Sequence, residues 1–209
     1  MKKNLTRSLI AFVGLFVCLE ACNNEGEKKT EPIAKKDSVV VEEKVAEPKR
    51  APVINITDTL SVKRIVLIMK DSATTMERIS VKLGEIYGKI SVVVKKNNLK
   101  TTGAPMAWYR TQKAPYFFEA GIPVDKRPSK ITSGVQVKET GVDSAIVAHF
   151  YGPYDLLPQA YHAVKEMLKD RKKKLKSPPY EIYVDDPVDS TGKAKDPYKV
   201  QTDIVFPWK

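Results

Sequence analysis

Cysteine is nearly missing from this chain. It has 209 residues and two cysteines, Cys18 and Cys22, both at the N-terminal end. From Asn23 onward no disulfide, thiolate nucleophile or Cys-based metal site can form. Histidine is equally scarce. His149 and His162 are the two present, and neither shares a metal-ligand spacing with a partner. No metal and no cofactor are therefore expected. A Gly-rich phosphate loop, an HExxH helix and a G-x-S-x-G elbow are also absent, which removes the commonest phosphoryl-transfer, zinc-hydrolase and serine-hydrolase readings. Acidic residues are outnumbered, with 36 Lys and Arg against 25 Asp and Glu and a net charge of +11. Most of that excess lies beyond residue 53. A basic domain suits an anionic membrane surface, nucleic acid or simple solubility.

What is present begins with a targeting segment. Lys2, Lys3 and Arg7 form a basic start, Leu9 to Leu19 an apolar run, and Leu19-Glu20-Ala21-Cys22 its end. The run is too short for a transmembrane helix, so residues 1–22 are expected to be a signal peptide. Its last residues resemble a bacterial lipobox, in which the cysteine is lipidated. Glu20 departs from the small residue usual at its position. Cys22 is the expected lipidation site, tethering the protein in the bacterial cell envelope, at the outer membrane. Residues 23–53 follow as a linker rich in Glu, Lys, Pro and Val. Such a composition buries too little apolar area to offset its ordering entropy. Basic residues from Arg171 to Lys176 could then meet lipid headgroups, or form a solvated helix end.

From Ile54 the chain reads as a folded domain to Lys209. Val62 to Met69 is a strand candidate. Thr74 and Glu77 have capping-box spacing. Met76, Ile79, Leu83, Ile86, Ile90 and Val93 then recur at helical spacing, which predicts a helix over 74–97. Ala104 to Arg110 and Tyr116 to Val124 read as strands, and Lys126 to Lys138 as a link.

The segment from His149 to Val184 organises the second half. Gly152 and Pro153 mark a turn after the strand Ala145–Tyr151. Asp155 stands where a helix cap is wanted and Pro158 in the first turn. Leu157, Tyr161, Val164 and Leu168 form one apolar stripe, which predicts a helix over 155–174. Arg171 to Lys174 crowd its end, where positive charge suits the macrodipole. Pro178 and Pro179 stop it, and Tyr180 to Val184 alternates as a strand. Lys199 to Trp208 is the last strand. The order strand, helix, strand, strand thus occurs twice, in units of about 54–125 and 140–209. Glu119 and Asp203 are matched by the repeat, as are Tyr109 and Tyr183. The expected class is α+β: duplicated β-α-β-β units forming one antiparallel sheet.

Gly152-Pro153-Tyr154, then Ala160-Tyr161, then Pro178-Pro179-Tyr180-Glu181-Ile182-Tyr183 with Asp185-Asp186-Pro187, resembles the GyrI-like effector-binding domain. That domain is also the ligand-sensing half of some AraC-type and MerR-type regulators. The resemblance extends from about Val62 to Trp208. It implies two helices on one face of the sheet and a ligand cleft on the other, at the seam between units. It also implies that Glu181 faces the cleft, with Tyr183 two residues on along the same face. Tyr109 is expected to face it from the other unit, Tyr151 and Tyr154 to stand at its mouth, and Trp108 to pack with Ile182 against the helices or line the cleft. Regulators of the family carry a helix-turn-helix domain for which the chain as given leaves no room, so nucleic acid is not an expected partner.

Three functions fit these residues. The first is envelope-anchored binding of an amphipathic or cationic small molecule, with Glu181 as counter-charge and tyrosine faces as walls. The second is hydrolysis of a reactive small molecule, with Glu181 as base and Tyr183 or Tyr109 as proton donor. The third is a structural or adaptor lipoprotein that uses the basic patch and no pocket, with Glu181 a cross-strand partner for a Lys or Arg on the sheet. Independently of these, Cys22→Ser is expected to release the protein from membranes. Retention of the variant in the membrane fraction, with unchanged mobility, contradicts lipidation.

Overall fold

The computed structural model describes residues 50–209. The signal-peptide reading, Cys22 included, and nearly all of the linker lie outside these residues. The described chain forms strands β1 (Val53–Leu60), β2 (Arg64–Ala73), β3 (Met106–Tyr109), β4 (Tyr116–Val124), β5 (Gln136–Thr140), β6 (Ser144–Tyr151), β7 (Tyr180–Tyr183) and β8 (Gln201–Pro207), and helices α1 (Met76–Lys96) and α2 (Leu157–Asp170). All strands join one antiparallel eight-stranded sheet in the order β1-β6-β8-β7-β3-β4-β2-β5. This is the α+β class expected from the duplicated pattern.

The order is symmetric about the β7–β3 seam, and its edges are exchanged. β1 precedes β2 in sequence but pairs with β6, while β5 precedes β6 but pairs with β2. Each half therefore borrows its outer strand from the chain leading into the other half. The repeat reading found the inner strands and overlooked β1 and β5. Both are edge strands, largely exposed and rich in Thr, Lys and Asp, so their apolar pattern is weak. Val53, counted in the linker, opens β1.

Helix limits shift by small, explicable amounts. Thr75 rather than Thr74 caps α1, its hydroxyl accepting the Arg78 N–H at 3.4 Å. Glu77 thus lies one position earlier in the helix than a capping box requires. Asp155 does not cap α2. It lies in a 3-10 turn, Tyr154–Leu156, that leads into the helix, and Leu156 holds the cap position without a side-chain bond. α2 ends at Asp170 rather than 174, because Lys172 turns left-handed at φ +54° and the Lys173 N–H bonds back to the Leu168 carbonyl at 2.8 Å. Asn98 ends α1 in the same way, with φ +51° and Leu99 N–H on the Val94 carbonyl. The basic run from Lys172 onward therefore lies beyond the helix.

Alternation sorts the sheet residues. On the helix side, Leu67, Phe118, Ala120 and Ile122 pack with Ile79, Ile86, Ile90 and Val93 of α1. In the other half, Ile146, Phe150, Ile204 and Phe206 pack with Leu157, Tyr161, Val164 and Leu168 of α2. The helix-free side has its own apolar group of Val66, Ile68, Met106, Trp108, Val147, Tyr180 and Val205. Gly121 of β4 lies within that group. A side-chain carbon there would meet the Leu67 carbonyl and the side chains of Val66 and Ile68. Gly121→Ala is therefore expected to lower stability by about 1–3 kcal/mol, because backbone and packed side chains must move together. An unchanged midpoint in urea unfolding would contradict this packing.

Candidate functional site

Glu181 lies on β7 beside the centre of the sheet. β7 meets β3 through just two residue pairs, Met106↔Ile182 and Ala107↔Glu181. Pro178 and Pro179 precede β7 and carry no N–H, so this short ladder cannot continue past Tyr180. Ala107, directly opposite, adds only a methyl group and leaves room for the carboxylate.

Glu181 is 4% exposed. Its Oε1 accepts a hydrogen bond from the Tyr161 hydroxyl at 2.9 Å. Its Oε2 accepts one from the Tyr183 hydroxyl, also at 2.9 Å. The Tyr183 hydroxyl in turn lies 2.9 Å from that of Tyr109. With Tyr183 donating to Glu181, Tyr109 must donate to Tyr183. The proton order therefore runs Tyr109 to Tyr183 to Glu181, with Tyr161 closing the other side.

Further rings complete the enclosure. Tyr154 meets the Tyr183 ring edge-on at 6.3 Å, Phe118 lies 5.8 Å from Tyr109, and Phe206 lies 5.5 Å from Tyr161. Tyr87 of α1 directs its hydroxyl to the Met106 carbonyl at 3.4 Å.

The electrostatics follow from burial. Burial pushes the Glu181 carboxyl up to about 7, although the hydrogen bonds from Tyr161 and Tyr183 pull the other way. Among the described residues no lysine, arginine or histidine forms an ion pair with it. Burial, followed by the Glu181 charge, raises Tyr87, Tyr109 and Tyr161 above the usual phenol value, and Tyr183 likewise. Tyr154 is raised by burial despite its hydrogen bond with Thr202. The phenols thus remain neutral donors around a carboxylate that no cation among the described residues pairs with.

The structure brings Glu181, Tyr183, Tyr109 and Tyr154 together, but on the helix side of the sheet. Tyr161 belongs to α2, so the space around Glu181 lies beneath the helices and not on the face opposite them. The reason is alternation: Glu181 and Tyr183 share the face of Ala107 and Phe118, which α1 and α2 cover. Trp108 and Ile182 accordingly fall on the helix-free side with Met106 and Tyr180, not against the helices. Tyr151 also leaves the site. Its hydroxyl bonds Gln201 Oε1 at 2.7 Å on the helix-free side, beside His149 and Asp203. Glu119 and Asp203 serve as polar centres of that same face, one bound by Lys70, Arg110 and Lys138, the other by His149 and Gln201.

Sequence reasoning assigns neither Tyr87 nor Tyr161 to the site. Tyr161 belonged to an apolar helical stripe and read as core. A signal was nonetheless present: Tyr109 and Tyr183 are 74 residues apart, and the same interval separates Tyr87 from Tyr161. The enclosure is made of pseudo-twofold pairs, one pair from the helices and one from the seam strands.

Among the described residues no group of His, Cys, Asp or Glu could hold a metal ion, and no helix is long and apolar enough to cross a membrane.

Known proteins agree with this architecture. The C-terminal domain of EcmrR superposes with a TM-score of 0.63 at 18% identity, over 75% of this chain and 98% of that domain. In a complex of EcmrR with DNA, the chain spans 57% of the EcmrR length, again with a TM-score of 0.63 and 19% identity. A hydrolase from Listeria innocua superposes with a TM-score of 0.51 at 13% identity, over 80% of this chain and 96% of that one. At such identities the likeness concerns the fold alone. No curated protein matches the chain. Residues 64–209 match the family described as GyrI-like small molecule binding domain, and with more than half of its length matched the chain belongs to that family.

Proposed function

We propose that this domain binds an amphipathic cation among Tyr87, Tyr109, Tyr154, Tyr161 and Tyr183, with Glu181 as its counter-charge. The observation that carries this reading is the buried carboxylate, which has no cationic partner among the described residues. An isolated buried charge is expensive, and a fold that served only as scaffold would gain by replacing it. Aromatic faces around it favour a soft, poorly hydrated cation over a small metal ion. Because Glu181 is closed off from solvent, entry requires Tyr161 and α2 to yield. We also propose that Cys22 and residues 23–53 tether the domain in the cell envelope, as the lipobox-like sequence supports.

A second reading has its own observation in favour. A carboxyl pushed up to about 7 is poised as a general base near neutral pH, and the Tyr109–Tyr183–Glu181 relay supplies protons. Of the similar structures, the Listeria innocua protein is described as a hydrolase. Glu181 would then activate a water, with Tyr183 as donor.

One variant separates these readings. Glu181→Gln keeps the shape and removes the charge. Binding of tetraphenylphosphonium, measured by calorimetry, is expected to weaken by at least tenfold, since a desolvated ion pair is worth more than about 1.4 kcal/mol. Binding of neutral triphenylphosphine oxide should change little. Equal loss for both probes, or for neither, would refute the charge-pairing role. Unchanged binding with loss of turnover of an activated ester would place the protein among the enzymes.

The same carboxyl makes stability depend on pH. Its folded value, about 7, exceeds the ordinary 4.5, so between these values the folded state holds a proton that the unfolded state has released. Stability should therefore fall as pH rises from 4.5 to about 7, by roughly 3 kcal/mol in all. Glu181→Gln should flatten this slope and be the more stable protein at pH 8. Cation affinity should move the opposite way, dropping as pH falls below about 7 and the carboxyl takes up its proton. Parallel urea titrations across pH test the sign; a wild-type protein gaining stability from pH 5 to 7 relative to the variant would contradict it.

A further inference from the structure

One end of the sheet carries an apolar tip beside a dense basic run. The links from β1 to β2 and from β5 to β6 run side by side there. The Ser61 N–H bonds the Asp143 carbonyl at 2.7 Å, and the Ser61 hydroxyl bonds the Gly141 carbonyl at 3.1 Å. Ser61 is buried between the links, which turns its neighbours outward. Leu60 is 62% exposed, Val142 61% and Val62 57%. Among the described residues no other large apolar side chain is as exposed as these, and all flank the same crossing.

The segment that follows α2 is fixed against this tip. Lys174 and Lys209 exchange two backbone hydrogen bonds, at 3.2 and 2.9 Å, and the Lys176 N–H bonds the Pro207 carbonyl at 2.9 Å. Lys176 also pairs with Asp143 of the crossing itself, and Arg171 pairs with Asp58 of β1. Lys173 lies 4.0 Å over the Trp208 ring. The Trp208 N–H in turn bonds the carbonyl of Ser144, the residue opposite Leu60. Lys63, Lys172, Lys174 and Lys209 are exposed, and among the described residues no carboxylate pairs with them. Asp58 and Asp143 are each matched already, so the surface around the tip is left with a clear excess of positive charge.

We propose that this tip docks on an anionic bilayer, with Leu60, Val62 and Val142 entering the boundary between headgroups and acyl chains and the lysines around them meeting lipid phosphates. Apolar side chains ringed by cations fit a bilayer better than a soluble polyanion, which offers nothing to the apolar part. Each lysine held at such a surface strengthens binding roughly fivefold. The chain enters the fold at the other end of β1, about 26 Å from the tip. From Cys22 to Arg50 the chain can extend to roughly 90 Å, so the tip can reach the membrane to which Cys22 would tether it. Docking has a consequence for the ligand. Ser61, Gly141, Asp143 and Leu175 rim a groove of about 760 Å³ that reaches Tyr109 and Tyr161 beside Glu181, so its mouth would open at the lipid surface. That consequence rests on the ligand reading of Glu181; the docking itself does not.

The test uses the full chain with Cys18→Ser and Cys22→Ser, so that no lipid is attached and one introduced cysteine can carry a polarity-sensitive fluorophore. Val62→Cys places the label at the tip. Val188→Cys, in the loop whose Tyr198 hydroxyl bonds the Arg50 carbonyl, places it where the chain enters the fold. On vesicles of one part phosphatidylglycerol to two parts phosphatidylcholine, the Val62 label is expected to shift to the blue and the Val188 label to stay unchanged. High salt, or vesicles of phosphatidylcholine alone, should abolish the shift. Lys63→Gln, Lys172→Asn and Lys174→Gln together should lower the docking constant about a hundredfold. Thermal unfolding should not move, because each side chain is exposed and asparagine accepts the left-handed backbone of Lys172. A shift at both labels, at neither, or at Val188 alone would overturn the proposal, since the tip would then make no contact of its own. So would a shift that persists on neutral vesicles or in the lysine variant. Leu60→Ser with Val142→Ser should also reduce the shift; an unchanged shift would refute entry of the tip into the bilayer. Glu181→Gln should dock like the parent chain, which keeps this result separate from the ligand reading.

Discussion

The burial of one carboxylate, Glu181, that pairs with no cation among the described residues sets the terms for the surrounding structure. Holding it ionised costs the folded state roughly 3 kcal/mol at neutral pH. A domain of this size has only some 5–15 kcal/mol in hand. The cost is met by ordinary means: full burial of two side chains such as Ile86 and Ile90 contributes roughly as much before entropy is counted. What burial cannot supply is partners for the carboxylate oxygens. Those come from Tyr161 and Tyr183, whose own burial keeps them protonated, so that they donate and add no competing charge. The tyrosines therefore make a lone buried anion tolerable without neutralising it.

The position of Glu181 follows from duplication. The two halves of the sheet meet at β3 and β7, the shortest strands, joined by two residue pairs. A seam with so few ladder bonds is the place where the sheet can part, and Pro178 and Pro179 hold it open at one end. The exchange of β1 and β5 supplies compensating cohesion. Each half is clasped by a strand that enters from the other, so separating the halves requires breaking two long edge ladders as well as the weak seam. A loosely bonded centre is thus combined with firmly tied edges.

Much of this was legible in the sequence, and the reasons differ by element. Both helices announced themselves through apolar spacing, because each packs one face against a sheet. The inner strands were found because both their faces are buried. β1 and β5 were missed because one edge and much of each face meet water, so composition alone gave a linker. For Glu181 and Tyr183, period-two alternation placed both on one face, and the family resemblance pointed to a cleft. Alternation cannot say which face the helices cover, and the helix side was assigned the wrong way. Trp108 and Tyr151 were misplaced for the same reason, since an aromatic near a glutamate in sequence can lie through the sheet from it. Tyr161 was hidden by its own helix: in an apolar stripe, a phenol whose hydroxyl reaches a carboxylate looks like one that merely packs.

The asymmetry between Ala107 and Glu181 is the part of the duplication that chemistry requires. These residues occupy matching positions, as Tyr109 and Tyr183 do, and they face each other across the pseudo-twofold seam. Directly opposed residues of an antiparallel pair stand close enough for their side chains to touch. A symmetric seam with glutamate at both positions would place two carboxyls together where no cation of the described residues pairs with them. They could not both ionise, and one would hold a proton at neutral pH. A seam with alanine at both positions would leave Tyr161 and Tyr183 without their acceptor. One glutamate opposite one alanine satisfies both hydroxyls and leaves a single ionisable group. The tyrosine pairs can remain symmetric because neutral hydroxyls tolerate duplication; the charge they enclose cannot be duplicated.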